Sequence, residues 1–165
     1  MEIPTDILPF FQSAGWYPEH RVALPDKAQS LIPEGHPAAM ILSTFGGLKV
    51  GRVGSGEECA ASDIIFGLIE DSEDAVRRWN DLLKTKLIGV AEYHHSHGKL
   101  FVDTVGKCYS LGLQGTFCFE GDNFNEAFRN LLLGRRSRPM LLPGEESVMV
   151  YGEIYTVESP EVYRY

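Results

Sequence analysis

Apolar positions recur at helical spacing in several stretches of the chain and alternate at strand spacing through its middle. Ile7, Phe10 and Phe11 give residues 6–14 one apolar side, the pattern of a short amphipathic helix. Pro9 places the start of its regular part near Leu8 or Pro9, where proline is tolerated. Gly15 stops it. Residues 28–32 read as one or two further helical turns before Pro33. The next helix starts near Pro37, carries Ile41, Leu42 and Phe45 on one side, and ends at Gly46 and Gly47. Paired glycines allow positive φ there at no side-chain cost. Residues 72–83 form the strongest helix pattern. Ser72 caps it, Glu73 and Asp74 meet the positive end of its dipole, and Ala75, Val76, Trp79, Leu82 and Leu83 make one face. Asp122 is the expected cap of a last helix running to about Leu133. Phe124, Ala127, Phe128, Leu131 and Leu132 form its buried side, and Gly134 is its stop.

Between these helices the period changes. Residues 48–53 and 63–68 read as strands. Residues 87–93, 100–103, 107–111 and 116–119 follow as short strands separated by turn residues, an antiparallel meander. Residues 148–157 alternate and predict one added edge strand, and the tail beyond Ser159 is expected to be loosely held. The order implies an α+β fold: a single domain with a mostly antiparallel sheet and helices against one of its faces. Residues 1–138 form the main body. Residues 139–165 form a C-terminal extension, packed on the same domain or at an interface. Its Tyr151, Tyr155, Tyr163 and Tyr165 suit either place, since tyrosine is favoured at interfaces.

A chain of 165 residues predicts one domain. Its apolar fraction of 44% and charged fraction of 23% are those of an ordinary globular protein. The formal net charge of −8 disfavours a nucleic-acid binder, which needs a basic face, and suits a basic partner. Residues Met1-Glu2-Ile3-Pro4 open no basic or long apolar segment, and no later apolar run has the length of a membrane span, so the expectation is a cytoplasmic protein with no membrane partner. Cys59, Cys108 and Cys118 form no CxxC pair and read as reduced, largely buried thiols.

Candidate chemistry is sparse. His94, His95 and His97, with Asp103 on the following strand, are the one group with metal-ligand character, but Ser96-His97-Gly98-Lys99 reads more simply as a hairpin corner. Glu57, Glu58, Glu70 and Asp71 are candidates for an acidic surface that faces a basic partner. Capping and solvation are the bland alternative for the acids around the helix start. The stretch Gly51-Arg52-Val53-Gly54-Ser55-Gly56 lacks the GxxxxGK[ST] pattern of a phosphate loop, and no GxSxG elbow is present. The basic run of Arg135, Arg136 and Arg138 reads as a complement to a helix C-terminus. No catalytic residue, metal site or cofactor is predicted.

Three landmarks recur in a fixed order: Gly15-Trp16-Tyr17-Pro18 with Arg21-Val22, then Phe45-Gly46-Gly47-Leu48, then Gly121-Asp122-Asn123-Phe124 leading to Gly134. With Asp103, Gly106 and Tyr109 between them, they resemble the SUKH superfamily, specifically its third subgroup of bacterial immunity proteins, over about residues 14–135. The resemblance implies an α+β domain that binds and neutralises a cognate polymorphic toxin domain, commonly a nuclease or nucleic-acid deaminase, without catalysis of its own. It supplies no catalytic residue. Gly15, Trp16, Pro18, Arg21, Phe45, Gly46, Gly47, Trp79, Asp122, Phe124 and Gly134 read as structural positions. The alternatives are a regulatory interaction scaffold and, third, a metal-dependent enzyme built on His94, His95 or His97.

Overall fold

The computed structural model describes residues 2–70 and 74–165. Five helices are present among them: α1 (Leu8–Ser13), α2 (Asp26–Leu31), α3 (Pro37–Phe45), α4 (Asp74–Leu83) and α5 (Phe124–Leu133). The strands are β1 (Lys49–Val50), β2 (Gly54–Ser55), β3 (Ala60–Ala61), β4 (Ile64–Ile69), β5 (Ile88–Tyr93), β6 (Gly98–Val102), β7 (Cys108–Gly112), β8 (Phe117–Gly121), β9 (Arg138–Pro139), β10 (Ser147–Val150) and β11 (Glu153–Thr156). Seven of them form one antiparallel sheet in the order β1-β4-β5-β6-β7-β8-β9. This is the α+β architecture implied by the sequence, with the meander at its centre.

Strand alternation sends successive side chains to opposite faces, and both faces are buried. On one face Val50, Ile64, Phe66, Val90, Leu100 and Val102 pack against α1, α3 and α5. The centre of that layer is aromatic. Phe45, fully buried, has the rings of Phe11 and Phe66 each 5.1 Å away and Phe128 at 5.8 Å. Trp16 closes the cluster at 6.3 Å from Phe45. The other face carries Phe101, Tyr109, Leu111, Phe117 and Phe119, covered by Val76 and Trp79 of α4 and by Met140. Trp79 stacks on Phe117 at 4.8 Å. The expectation that the helices lie against one face is therefore corrected: α4 covers the opposite side. Two faces of large apolar side chains need two covers, and a helix period does not reveal which cover it supplies.

Helix boundaries follow their local chemistry. α3 is capped by the His36 ring, whose Nδ1 accepts from the Ala38 amide at 3.1 Å while Nε2 faces the Lys86 carbonyl at 2.9 Å. These two bonds require the tautomer protonated at Nε2, and they tie the start of α3 to the chain entering β5. The cap of α5 is Asn123, not Asp122: the Asn123 side chain accepts from the Glu126 amide at 3.1 Å. Glu126 reaches back to the Asp122 amide at 2.9 Å, a near relative of the capping box. The expected cap at Ser72, with Asp71 and Glu73, lies outside the described residues.

Strand 48–53 is shorter than predicted. Gly51 has φ +78°, and a Cβ there would meet Leu132 Cδ2 at 2.5 Å, so the chain leaves the sheet where it passes close beneath α5. The alternating stretch 148–157 is not one edge strand but a separate hairpin, β10–β11. Its two-residue turn, Tyr151-Gly152, has φ +55° and +77°, as tight hairpins require. The sheet edge beside β8 is taken by Arg138–Pro139, where proline is tolerated because no further strand needs its missing N–H. The tail is also seated: Tyr163 stacks on Phe119 at 3.9 Å, Val162 is buried, and the Tyr165 hydroxyl donates to the Leu141 carbonyl at 3.0 Å.

Phe45→Ala is expected to cost about 3–5 kcal/mol of folding stability, because the cavity lies among aromatic side chains held by three elements. Urea denaturation should show a lower midpoint with an unchanged slope.

Candidate functional site

A recess of about 340 Å³ opens beside the C-terminus of α5. It lies on the α5 face of the sheet, over β7 and β8, where the apolar layer gives way to Ser110, Cys118 and Glu120. That volume is at the lower end of the roughly 300–1,000 Å³ typical of ligand sites. It also far exceeds the 10–15 Å³ or so that one buried water needs.

Backbone contacts shape one wall. The last carbonyls of a helix have no partner within it, and here the loop after β2 supplies them. The Glu57 amide donates to the Leu133 carbonyl at 2.8 Å, and the Glu58 and Cys59 amides donate to the Gly134 carbonyl at 2.8 and 2.9 Å. Gly134 is left-handed (φ +67°), and a Cβ on it would meet the Cys59 carbonyl oxygen at 2.4 Å. A Cβ on Gly56 would meet Gly134 Cα at 2.6 Å. The two backbones approach this closely only as glycines.

Side chains lock the same wall. Arg135 Nε donates to Glu57 at 2.7 Å, and Glu58 accepts from the Arg136 amide at 2.8 Å. Arg136 in turn pairs with Glu153 of β11 at 2.8 Å, and Arg138 donates to the Val162 carbonyl at 3.1 Å. The basic run therefore fastens the loop, the hairpin and the tail to the helix end, and is not simply a complement to the helix dipole.

Glu120 forms the floor and is 1% exposed. One carboxylate oxygen accepts from Ser110 Oγ, the other from Ser137 Oγ at 2.7 Å. The Tyr151 hydroxyl donates to Ser137 Oγ at 3.0 Å and accepts from the Ser137 amide at 2.9 Å. On the opposite side Tyr93 is hydrogen-bonded to Ser110. Tyr93 can lie there because its cross-strand neighbour is Gly98, where a Cβ would fall 2.2 Å from the Tyr93 ring. A hydroxyl network thus runs from both walls to one buried acid. Burial raises the Glu120 carboxyl above its ordinary value, against the lowering effect of the two serines, and among the described residues no ammonium or guanidinium acts on it. Burial likewise raises Cys118, Tyr93 and Tyr151, with Glu120 adding to each, and it raises Cys59. These thiols and phenols are held in their neutral forms, the reverse of an activated nucleophile.

The histidine turn stands at the mouth. His94, His95 and Ser96 all have positive φ (+53°, +57° and +63°), which is costly for residues with a Cβ. Asp63, 1% exposed at its side chain, holds the turn by accepting from the His95 amide at 2.8 Å, and it pairs with Lys49 at 3.0 Å. Burial alone would raise the Asp63 carboxyl, but the His95 amide and Lys49 outweigh it and the net shift is downward. His94 Nδ1 lies 3.2 Å from Ser62 Oγ and lines the recess. Asp103 does not join the histidines. It sits at the other end of β6 and accepts from the Val105 and Lys107 amides, both at 2.9 Å. Among the described residues no group of three or more His, Cys, Asp or Glu is placed to hold a metal ion.

Of the four candidate acids, Glu57 and Glu58 lie together beside the recess, held by Arg135, which lines it, and by the Arg136 amide. Glu70 lies at the far end of β4, paired with Lys27, and Asp71 is outside the described residues. Lys27 and Glu70 line a larger cavity of about 590 Å³ between α2 and α4, which among the described residues has no buried ionisable group on its lining. Sequence reasoning missed Glu120, Ser110, Ser137 and Tyr93. The available signal was the alternation in Phe117-Cys118-Phe119-Glu120, which sends a charged side chain to the same covered face as Cys118.

The upward shift of Glu120 has a pH consequence. A carboxyl protonated more readily in the folded state contributes stability below its unfolded pKa and loses it as pH rises toward the folded value. Glu120→Gln should therefore gain stability relative to the wild type as pH rises from about 4 to 7, on top of a constant offset for the altered hydrogen bonds. Parallel pH–stability curves in urea denaturation would contradict this.

Trp16, Phe45, Trp79 and Gly134 all serve packing or chain reversal, and Gly15 and Gly47 take positive φ. No curated protein and no solved structure matches the chain. A family model described as SUKH-3 immunity protein matches residues 3–134. That span takes in the landmark residues, the sheet from β1 to β8 and the helix end that walls the recess, and the chain belongs to the SUKH-3 immunity protein family.

Proposed function

We propose that this protein binds and neutralises a cognate toxin domain, a nuclease or nucleic-acid deaminase, by occlusion and without turnover. Membership of an immunity protein family carries the reading. The formal charge of −8 supports it, because enzymes acting on nucleic acids present basic surfaces and opposite charge accelerates encounter. The neutral thiols and phenols of the recess support binding over covalent chemistry.

The recess and its rim are the proposed toxin-facing surface. Glu57, Glu58 and Glu153 supply acidic groups there, each held by an arginine side chain or amide and so ordered before the partner arrives. Glu57 and Glu153 remain about half exposed. Beside them the β10–β11 hairpin presents Met149 and Ile154, 56% and 71% exposed and directly paired across the strands. Exposed apolar side chains next to ordered charges match the anatomy of a specific interface. Glu70 and Asp71 would act as a separate acidic contribution to steering. No helix among the described residues is long and apolar enough to cross a membrane, and the proposed place of action is the cytoplasm.

Co-expression with the toxin encoded by the adjacent gene should yield a stable complex in which toxin activity is lost. A dissociation constant in the nanomolar range or below corresponds to about −12 kcal/mol or stronger. Association should slow as salt rises from about 50 to 500 mM. An adjacent toxin domain that remains active and uncomplexed with this protein would refute the proposal.

A further inference from the structure

The geometry points to the recess as a socket for an arginine side chain of the partner protein, with Glu120 as its counter-charge and Tyr93 and Tyr151 as its walls. The inference rests on the proposed binding role and names the chemistry by which the partner is held.

Three observations carry it. The first is a carboxyl placed at the floor of a cavity of about 340 Å³ with no cationic partner among the described residues. A buried charge left unpaired is expensive, and natural chains usually pair it or remove it. Here the two serine hydroxyls occupy two of about four acceptor positions. The remaining positions suit the N–H groups of a guanidinium, which bonds carboxylates through two parallel donors.

The second is the nature of the walls. Tyr93 and Tyr151 line the cavity, and aromatic faces attract a guanidinium by cation–π and stacking contact. Tyr151 already takes Arg136 over its ring at 5.5 Å, so this ring accepts such a group. The third is that the chain's own nearby guanidiniums are committed elsewhere. Arg135, which lines the cavity, is turned to Glu57, and Arg136 is turned to Glu153. Both pairs lie at the rim and leave the floor to an incoming group. The overall charge of −8 favours the approach of a basic surface.

A partner arginine enters between the histidine turn and the β10–β11 hairpin, passes Tyr151 and meets Glu120. Desolvated charge pairs at the centre of an interface make strong anchors when their hydrogen bonds are satisfied, and arginine is enriched among such anchors.

The test needs no toxin. The full chain is titrated with N-acetyl-L-arginine amide and, separately, with N-acetyl-L-citrulline amide, its neutral counterpart of the same shape, with binding read by amide chemical shifts. The arginine probe should bind saturably with a dissociation constant on the order of 1–10 mM, shifting amides of Tyr93, Glu120, Ser137 and Tyr151. The citrulline probe should bind at least about tenfold more weakly. Glu120→Gln should weaken arginine binding by a similar factor. Tyr151→Asn, whose side chain tolerates the positive φ of that turn, should weaken it several-fold while leaving the fold intact, and so covers the case in which Glu120→Gln does not fold. Equal binding of both probes, shifts confined to sites away from the recess, or arginine binding unchanged in either folded variant would overturn the inference. Arginine binding without any toxin complex would instead fault the proposed function and leave the socket standing. A toxin complex as tight with Glu120→Gln as with the wild type would show that the socket does not anchor the partner.

Discussion

The end of α5 governs the recess side of this molecule. Helix α5 stops at Gly134, where its orphan carbonyls are taken by the amides of Glu57, Glu58 and Cys59. That contact requires glycine at both 56 and 134. From it follow the loop that carries Glu57 and Glu58, the path of Arg135 and Arg136, and the pairing that positions the hairpin. It also sets the limit of the apolar cover over the sheet. Beyond that limit Ser110, Cys118 and Glu120 lie beneath a cavity rather than beneath a helix.

The remaining sheet is buried on both sides by conventional means. Phe11, Phe45, Phe66 and Phe128 fill one layer, and Trp79, Phe117, Tyr109 and Phe119 fill the other. These two layers make the sheet a stiff platform. A polar network that crosses such a platform is confined by its neighbours. Tyr93, Ser110, Glu120, Ser137 and Tyr151 therefore hold one arrangement, a condition for preorganised binding.

Much of the fold was legible in the sequence, for a definable reason. The helices α3 and α5 bury single faces, so their periods are clean, the strands of the meander are short apolar runs bounded by turn residues, and Gly15, Gly47 and Gly134 mark real chain reversals. What was not legible depends on contacts distant in sequence. The side of the sheet taken by α4 is set by where Trp79 meets Phe117, 38 positions later, and the short β9 exists only because β8 offers it an edge. Asn123 and Asp122 are both good caps, and only the backbone path chooses between them. The candidate site was the least legible part. Glu57 and Glu58 stand out by their charge, but the recess they lie beside is organised by Glu120, a single acid in an apolar strand with serine partners 10 and 17 residues away. The histidines were conspicuous as a cluster, yet they form a left-handed turn held by Asp63, and Asp103 caps a different hairpin.

A surface built this way separates the tasks of binding. In the proposed complex, long-range attraction would come from net charge, orientation from an ordered rim, and the final hold from a desolvated pair and the apolar face of the hairpin. The proposed seat of the partner is the recess side. Hydrogen–deuterium exchange of the toxin complex against the free protein tests it most directly. A partner seated on the recess adds protection in residues 57–62, 93–97 and 135–156. Protection confined to α2, α4 and the far end of β4, with the recess segments exchanging as in the free protein, would contradict it.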